Sequence, residues 1–273
     1  MGLVRTLVAF NTATDSDNKI HDDAVASRFG FTGGLVPGVD VHAYLTAAPL
    51  ERWGLDWLDH GTIACRFGSP TYDGDTVEVW ASQEADGSLT LELRRPADGA
   101  TLATGAASLP DRAPLVDPMR WPAPAPPRPR PVASAAALGV EALGAVPFPL
   151  AAEVGREYLT AVRETDPVYL DRRLVHPGWL VRAANDILVR NVVLGPWIHV
   201  GSQVQHLGLA HLDEPLTVRA LVMGVREHKG HGFVDLDVLV LGDADRPVAR
   251  VAHTAIYEPR QVRETSRAAG GQP

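Results

Sequence analysis

From residue 60 onward the chain alternates apolar and polar side chains in short runs, each closed by a turn signal. The first four runs lie near 60–68, 75–83, 88–95 and 101–109, separated by Tyr72-Asp73-Gly74, Asp86-Gly87 and Asp98-Gly99. A period of two with such breaks predicts antiparallel strands joined by tight turns. Ahead of them a helix is predicted over 39–53, with Pro49 ending or kinking its first part because proline removes a helical donor.

The same order then recurs. Residues from Trp179 to Leu194 place Leu180, Ala183, Ala184, Ile187, Leu188 and Val192 at helical spacing, and Gly195-Pro196 supplies the stop. Strand-like runs follow at 198–207, 215–226, 232–241 and 246–257, broken at Asp213-Glu214-Pro215, His228-Lys229-Gly230 and Gly242-Asp243. Adding 140 to the numbers of Pro37, Gly38, Val41, Ala43, Trp57, Gly61 and Gly68 reaches Pro177, Gly178, Val181, Ala183, Trp197, Gly201 and Gly208. That is an internal repeat. One helix and one antiparallel meander, written twice, predict an α+β protein in which each helix is wrapped by a curved sheet. The two sheets are expected to join as a pseudo-dimer, with the helices at 39–53 and 179–194 roughly antiparallel on the concave face. The domains expected are 1–110 and 145–260, joined by a linker over 111–144 and followed by a flexible tail over 261–273. Within the linker, Pro122-Ala123-Pro124-Ala125-Pro126-Pro127 favours extended polyproline conformation.

Charge narrows the partners. Acidic side chains outnumber basic ones, 33 to 25, which argues against a nucleic-acid binder needing a basic face. Cys65 is the only cysteine, so no intramolecular disulfide can form and a reducing compartment is expected. The N-terminus lacks a signal-peptide pattern, and no stretch is apolar and long enough to span a bilayer, so the expected location is cytoplasmic, off the membrane. No phosphate loop, dinucleotide fingerprint or nucleophile elbow is present. His228 and His231 read as a hairpin tip rather than a metal site, so neither metal nor cofactor is expected.

The chemistry-bearing segment precedes the first helix. It reads Asp15-Ser16-Asp17-Asn18-Lys19-Ile20-His21, then Ala26, Gly30-Phe31 and Leu35-Val36-Pro37-Gly38. This resembles the MaoC-like hydratase/dehydratase family of the hotdog superfamily. That family's signature is an Asp, any residue, Asn, usually Pro, an aliphatic residue and His. Asn18, Ile20 and His21 match it; Lys19 replaces the Pro, and Ser16 stands where the family has its catalytic Asp. The resemblance implies a double hotdog acting as an (R)-specific enoyl-thioester hydratase or 3-hydroxyacyl-thioester dehydratase. Such a lyase takes acyl-CoA or acyl carrier protein thioesters in fatty acid or polyketide metabolism, with no cofactor and with room for a homodimer.

On that reading His21 is the base, since its pKa lies near working pH, and Asn18 orients substrate or water. The acid falls to Asp17 or to Asp15. Asp15, Ser16, Pro37, Gly38 and Val39 are expected to contact the substrate, with free N–H groups at the helix start facing the charge that develops on the thioester oxygen. In the second copy Asp166-Pro167-Val168-Tyr169 aligns with Asn18-Lys19-Ile20-His21. Tyrosine is a poor base near neutrality, and His176 reads as structural, so one competent site is expected. Two alternatives stay open. One is a hotdog thioesterase; the other is an acyl- or polyketide-binding or cyclising scaffold that has lost dehydration.

Overall fold

The computed structural model describes residues 1–14 and 16–263. Ten strands form one antiparallel sheet: β1 (Gly2–Val8), β2 (Thr62–Phe67), β3 (Thr76–Gln83), β4 (Leu89–Arg95), β5 (Ala100–Ser108), β6 (Ala142–Pro147), β7 (Ile198–His206), β8 (Thr217–His228), β9 (His231–Leu241) and β10 (Pro247–Glu258). Their order is β1-β3-β4-β5-β2-β7-β10-β9-β8-β6. Read outward from the central pair, one half runs β2-β5-β4-β3-β1 and the other β7-β10-β9-β8-β6, the same topology twice. The seam is the ladder from Thr62↔Gln205 to Arg66↔Gly201. Through it the two repeats share one hydrogen-bonded sheet.

The eight meander strands fall where the alternation placed them. The first strand of each half, β1 and β6, was not anticipated. Both are edge strands with a single neighbour, β3 and β8 respectively. Edge strands tolerate breakers, and β6 carries Gly144 and Pro147 in only six residues.

The α-helices between the strands are α1 (Asp23–Ala26), α2 (Gly38–Leu45), α3 (Ala47–His60), α4 (Ala135–Leu138), α5 (Ala152–Ala161), α6 (Val168–Asp171) and α7 (Pro177–Asn191). The expected helix over 39–53 is in fact two. The break falls at Thr46, one turn before Pro49, because proline has no N–H for the Leu45 carbonyl. Beyond it α3 runs to His60, kinked at Gly54, whose φ of 59° suits a residue without a Cβ. Every residue of α2 from Val39 to Leu45 is buried, as a helix enclosed by a sheet must be. In the second half α7 starts on Pro177, whose fixed φ suits the first helical position. It stops at Asn191, short of the expected 194. There the Asn191 side chain takes over the hydrogen bonding, donating to Ile187 O (2.8 Å) and Gly144 O (2.9 Å) and accepting from Gly144 N–H (2.6 Å). One side chain thus closes the helix and fastens β6 beside it.

Between the repeats, the proline-rich stretch lies against the structure. Trp121 is buried over Leu239 and Leu241, and its Nε1–H donates to Asp237 O at 3.0 Å. Ala145 N–H reaches Pro124 O at 2.8 Å. At the C-terminal end, residues 260–263 form a helical turn, and Arg263 pairs with Glu227 and Glu258. The rest of the expected tail lies outside the described residues. The halves are also locked through their helices: Asp40 of α2, fully buried, pairs with Arg182 of α7 at 2.6 Å. Thr12 Oγ1 donates to the second Asp40 oxygen (2.5 Å), and the Arg182 guanidinium lies 5.1 Å from the Tyr158 ring centroid.

Candidate functional site

Asn18 builds the loop that precedes the first helix. It caps the single 3-10 turn Lys19–His21, its Oδ1 accepting from Ile20 N–H at 3.4 Å, and Ile20 anchors that turn in the core. The same amide reaches across to the other repeat: Oδ1 accepts from Trp197 N–H (3.2 Å) and Nδ2 donates to Trp197 O (3.0 Å). The loop of the first half is therefore held by the backbone of the second.

His21 follows on this turn. Its Nδ1 lies 2.6 Å from Leu35 O. A carbonyl only accepts, so Nδ1 carries the ring hydrogen and Nε2 is left with its lone pair. Asn18 Nδ2 stands 3.4 Å from that Nε2. Burial pushes the His21 pKa below 6.5, with the Leu35 contact and the distant Asp40 charge opposing. That lowering favours the neutral form of the ring.

A cavity of about 260 Å³ opens beside it. Asn18, Ile20 and His21 line it together with Leu35, Pro37, Gly38, Phe67 and the segment from Gly68 to Thr71, while Asn185, Trp197 and His199 come from the second half. Among the described residues the lining holds no carboxylate, lysine, arginine or cysteine. Ser16 and Asp17 are outside it: Ser16 Oγ donates to Asn18 O at 3.2 Å, and the Asp17 side chain is exposed. Val39 is buried in the core and does not reach the cavity. Asp15 lies outside the described residues. The structure thus gathers His21, Asn18, Pro37 and Gly38, and leaves Asp17, Ser16 and Val39 aside.

The lining residues that the sequence reading missed come from the second half and, in the first half, from α2 (Val41), β2 (Phe67) and the segment that follows it, Gly68 to Thr71. Asn185 contributes a buried Oδ1 with no partner in the protein. His199 occupies an inward position of β7, where strand alternation calls for an apolar side chain. That exception to the pattern was the available signal.

Gly38 begins α2, and no side chain caps that helix. The first amides of a helix have no intrahelical acceptor, so its N–H is free at the positive end of the dipole. The second half shows the contrast. There His176 Nδ1 accepts from Gly178 N–H at 3.0 Å, plugging the equivalent donor, whereas the first half has Val36 at that place. Tyr169, aligned with His21, is buried with its ring centroid 4.7 Å from that of His176. Beside Pro177 only about 10 Å³ is open, with Leu58, Leu174, Leu180 and Leu209 around it. One of the two related sites is open and the other is filled.

Close approach is required at Gly38. A Cβ there would stand 2.8 Å from His199 Nδ1 and 2.9 Å from Phe67 Cε2, contacts that real Cβ atoms do not make. Gly38→Ala must drive one ring into the cavity and is expected to cost about 1–3 kcal/mol, as overpacking does. A fall in the urea midpoint checks this, and an unchanged midpoint would refute it.

Two hotdogs sharing one sheet, with a cavity at their junction, define a double hotdog, and the comparisons agree. No protein-family model matches the sequence, and no curated protein does. Among solved structures, a MaoC domain protein dehydratase from Chloroflexus aurantiacus superposes with a TM-score of 0.58 at 12% identity, covering 95% of this chain and 96% of its own. A conserved Mycobacterium tuberculosis protein with a double hotdog fold gives a TM-score of 0.58 at 18% identity, covering 94% of this chain and 96% of its own. The enoyl-isomerase of a trans-acyltransferase polyketide synthase gives 0.50 at 11% identity, covering 93% of this chain and 100% of its own. At these identities the likeness is one of fold. Among the described residues no helix is long and apolar enough to cross a membrane, and no cluster of side chains could hold a metal ion.

Proposed function

We propose that this chain acts on acyl thioesters by moving a proton at the carbon beside the thioester carbonyl, with His21 as the base. The observation that carries this reading is the His21 ring itself, with Nδ1 fastened to Leu35 O and the unprotonated Nε2 on a cavity wall, where its one contact is a long 3.4 Å approach from Asn18 Nδ2. Removing the α-proton places negative charge on the thioester oxygen. The free Gly38 N–H at the start of α2 supplies a fixed donor for that charge. At about 260 Å³ the cavity suits a short acyl chain.

Among reactions that begin this way, shifting the C=C bond between C2–C3 and C3–C4 demands least of the site. His21 takes the proton from one carbon and returns it to the other, and no bond to oxygen breaks. A lining without a described carboxylate is adequate for that chemistry, the one named for the polyketide synthase enoyl-isomerase. Hydration of a trans-2-enoyl thioester is the second reading, favoured by the Asn18, Ile20 and His21 spacing. It needs an acid for the hydroxyl, and Ser16 and the exposed Asp17 offer none facing the cavity. Thioester hydrolysis by a carboxylate meets the same want.

One experiment separates these readings. Crotonyl-CoA and 3-hexenoyl-CoA are incubated with the protein in deuterium oxide and followed by mass spectrometry. Deuterium in the acyl chain with interconversion of the 2- and 3-enoyl isomers is the expected result. Uptake of one water supports hydration, release of free CoA supports hydrolysis, and an unchanged thioester leaves a binding scaffold. Asp17→Asn is expected to behave as wild type in this assay, since exposed positions away from the chemistry tolerate change.

A further inference from the structure

His199 stands on the cavity wall beside Gly38, with its ring edge-on to Phe67 at 4.8 Å between centroids. Its Nε2 is engaged, 2.8 Å from Ser202 Oγ, and Ser202 Oγ in turn lies 2.9 Å from His253 Nδ1. The two imidazoles stack at 4.3 Å. At the cavity end of this chain His199 Nδ1 is buried and has no partner in the protein. A buried ring nitrogen without a partner is costly and calls for an explanation, of which a bound ligand is one.

The chain has two proton arrangements. In one, His253 Nδ1–H donates to Ser202 Oγ and the hydroxyl donates to His199 Nε2, which leaves a hydrogen on His199 Nδ1. In the other every donor is reversed and Nδ1 is bare. A ligand oxygen that only accepts selects the first arrangement. We propose that His199 is a substrate-contacting residue, its Nδ1–H being a second donor to the thioester carbonyl oxygen already facing Gly38 N–H. Ser202 and His253 are positioning residues that hold the ring and present the donor tautomer. No proton leaves the chain during the reaction; the hydrogen bond shortens as charge builds on the oxygen and relaxes as it disperses. Burial, together with the neighbouring His253 and His42, keeps the His199 pKa well below 6.5, so the ring serves as a neutral donor.

The inference rests on the acyl-thioester reading, and its test separates the two. Hexadienoyl-CoA is the probe, because its absorbance moves to the red when the carbonyl is polarised. Wild type and His21→Ala are expected to bind it with the same red shift, since removing the base leaves both donors in place. His199→Phe, which keeps a ring and loses the donor, is expected to bind without the shift and to lower turnover roughly 10²–10³-fold, as loss of one such donor does. His199→Asn, whose amide N–H can stand near the Nδ1 position, is expected to recover part of the shift. Ser202→Ala is expected to weaken the shift while affinity holds, a split that a packing defect would not give. A full shift in His199→Phe, or in Ser202→Ala and a donor-free His199→Leu should the Phe variant not fold, overturns the role of His199 alone. Failure of wild type to bind the probe overturns both this inference and the acyl-thioester reading.

Discussion

His21→Ala is expected to abolish proton exchange on an acyl thioester while leaving a folded protein. A positioned general base contributes about 10²–10⁴-fold, and no second base on the described lining is placed to replace it: in the arrangement proposed above the cavity-facing His199 Nδ1 carries the hydrogen, and Nε2 is committed to Ser202. The substitution also removes the bond to Leu35 O (2.6 Å), so the fold does not escape untouched. One such bond is worth about 0.5–1.5 kcal/mol, and at this chain length that lowers the thermal midpoint by about 2–4 °C per kcal/mol. An exposed loop histidine would have cost nothing; the half-buried ring costs a little. The wild-type pH profile carries the same signature. Because the His21 pKa lies below 6.5, activity should hold from neutrality down past that value and fall only below it. A His21→Ala enzyme within a few-fold of wild type would remove this residue from the mechanism.

The second large effect is acid unfolding driven by interior histidines. His42, His206 and His253 are buried, and burial first, aided at His42 and His206 by neighbouring histidines, pushes their pKa values down to about 3, about 4 and about 3. The unfolded chain has ordinary values near 6.5, so below that pH it binds protons that the folded chain refuses. Stability is therefore complete above pH 6.5 and is lost as pH falls towards the folded values. Each such histidine costs about 1.4 kcal/mol per pH unit. Three together approach about 6 kcal/mol near pH 5, comparable with the whole stability of an ordinary domain at about 5–15 kcal/mol. Circular dichroism against pH should show cooperative unfolding between about pH 4 and 5.5. His42→Leu removes a ring whose two nitrogens have no partner, and should move that midpoint to lower pH. A flat signal down to pH 4 would refute the account.

How much of this was legible in the sequence depends on what each element is made of. The meander strands were visible because one face is more buried than the other, as in β10, where from Ala249 on buried residues alternate with exposed or half-buried ones. The repeat was visible because Pro-Gly at each helix start recurs in fixed order. Helix lengths were less legible: Gly54 and Pro49 suggest an end, yet tertiary packing of Trp57 and Leu58 carries α3 on to His60. In the site, the local part of the motif was readable because Asn18 and His21 act within one turn of chain. The place of Asp17 could not be read: it is next to Asn18 in sequence, yet its side chain is exposed and outside the cavity lining. Asn185, Trp197 and His199 were out of reach for another reason. They meet His21 only across the seam, from positions more than 160 residues away, and no spacing rule spans that distance.

The plugged donor at Gly178 also bears on why two repeats are tethered in one chain. In a pair of identical subunits, any substitution is made twice. A histidine at the position before the Pro-Gly would cap the helix in both copies and silence both sites together. Covalent linkage removes that constraint, because position 36 can be valine while position 176 is histidine. On the proposed function, the second repeat need carry no reaction of its own, and its side chains at 185, 197 and 199 form the far wall of its neighbour's cavity. Tethering thus permits one open cavity with a dedicated partner surface, where identical subunits would carry two equivalent ones.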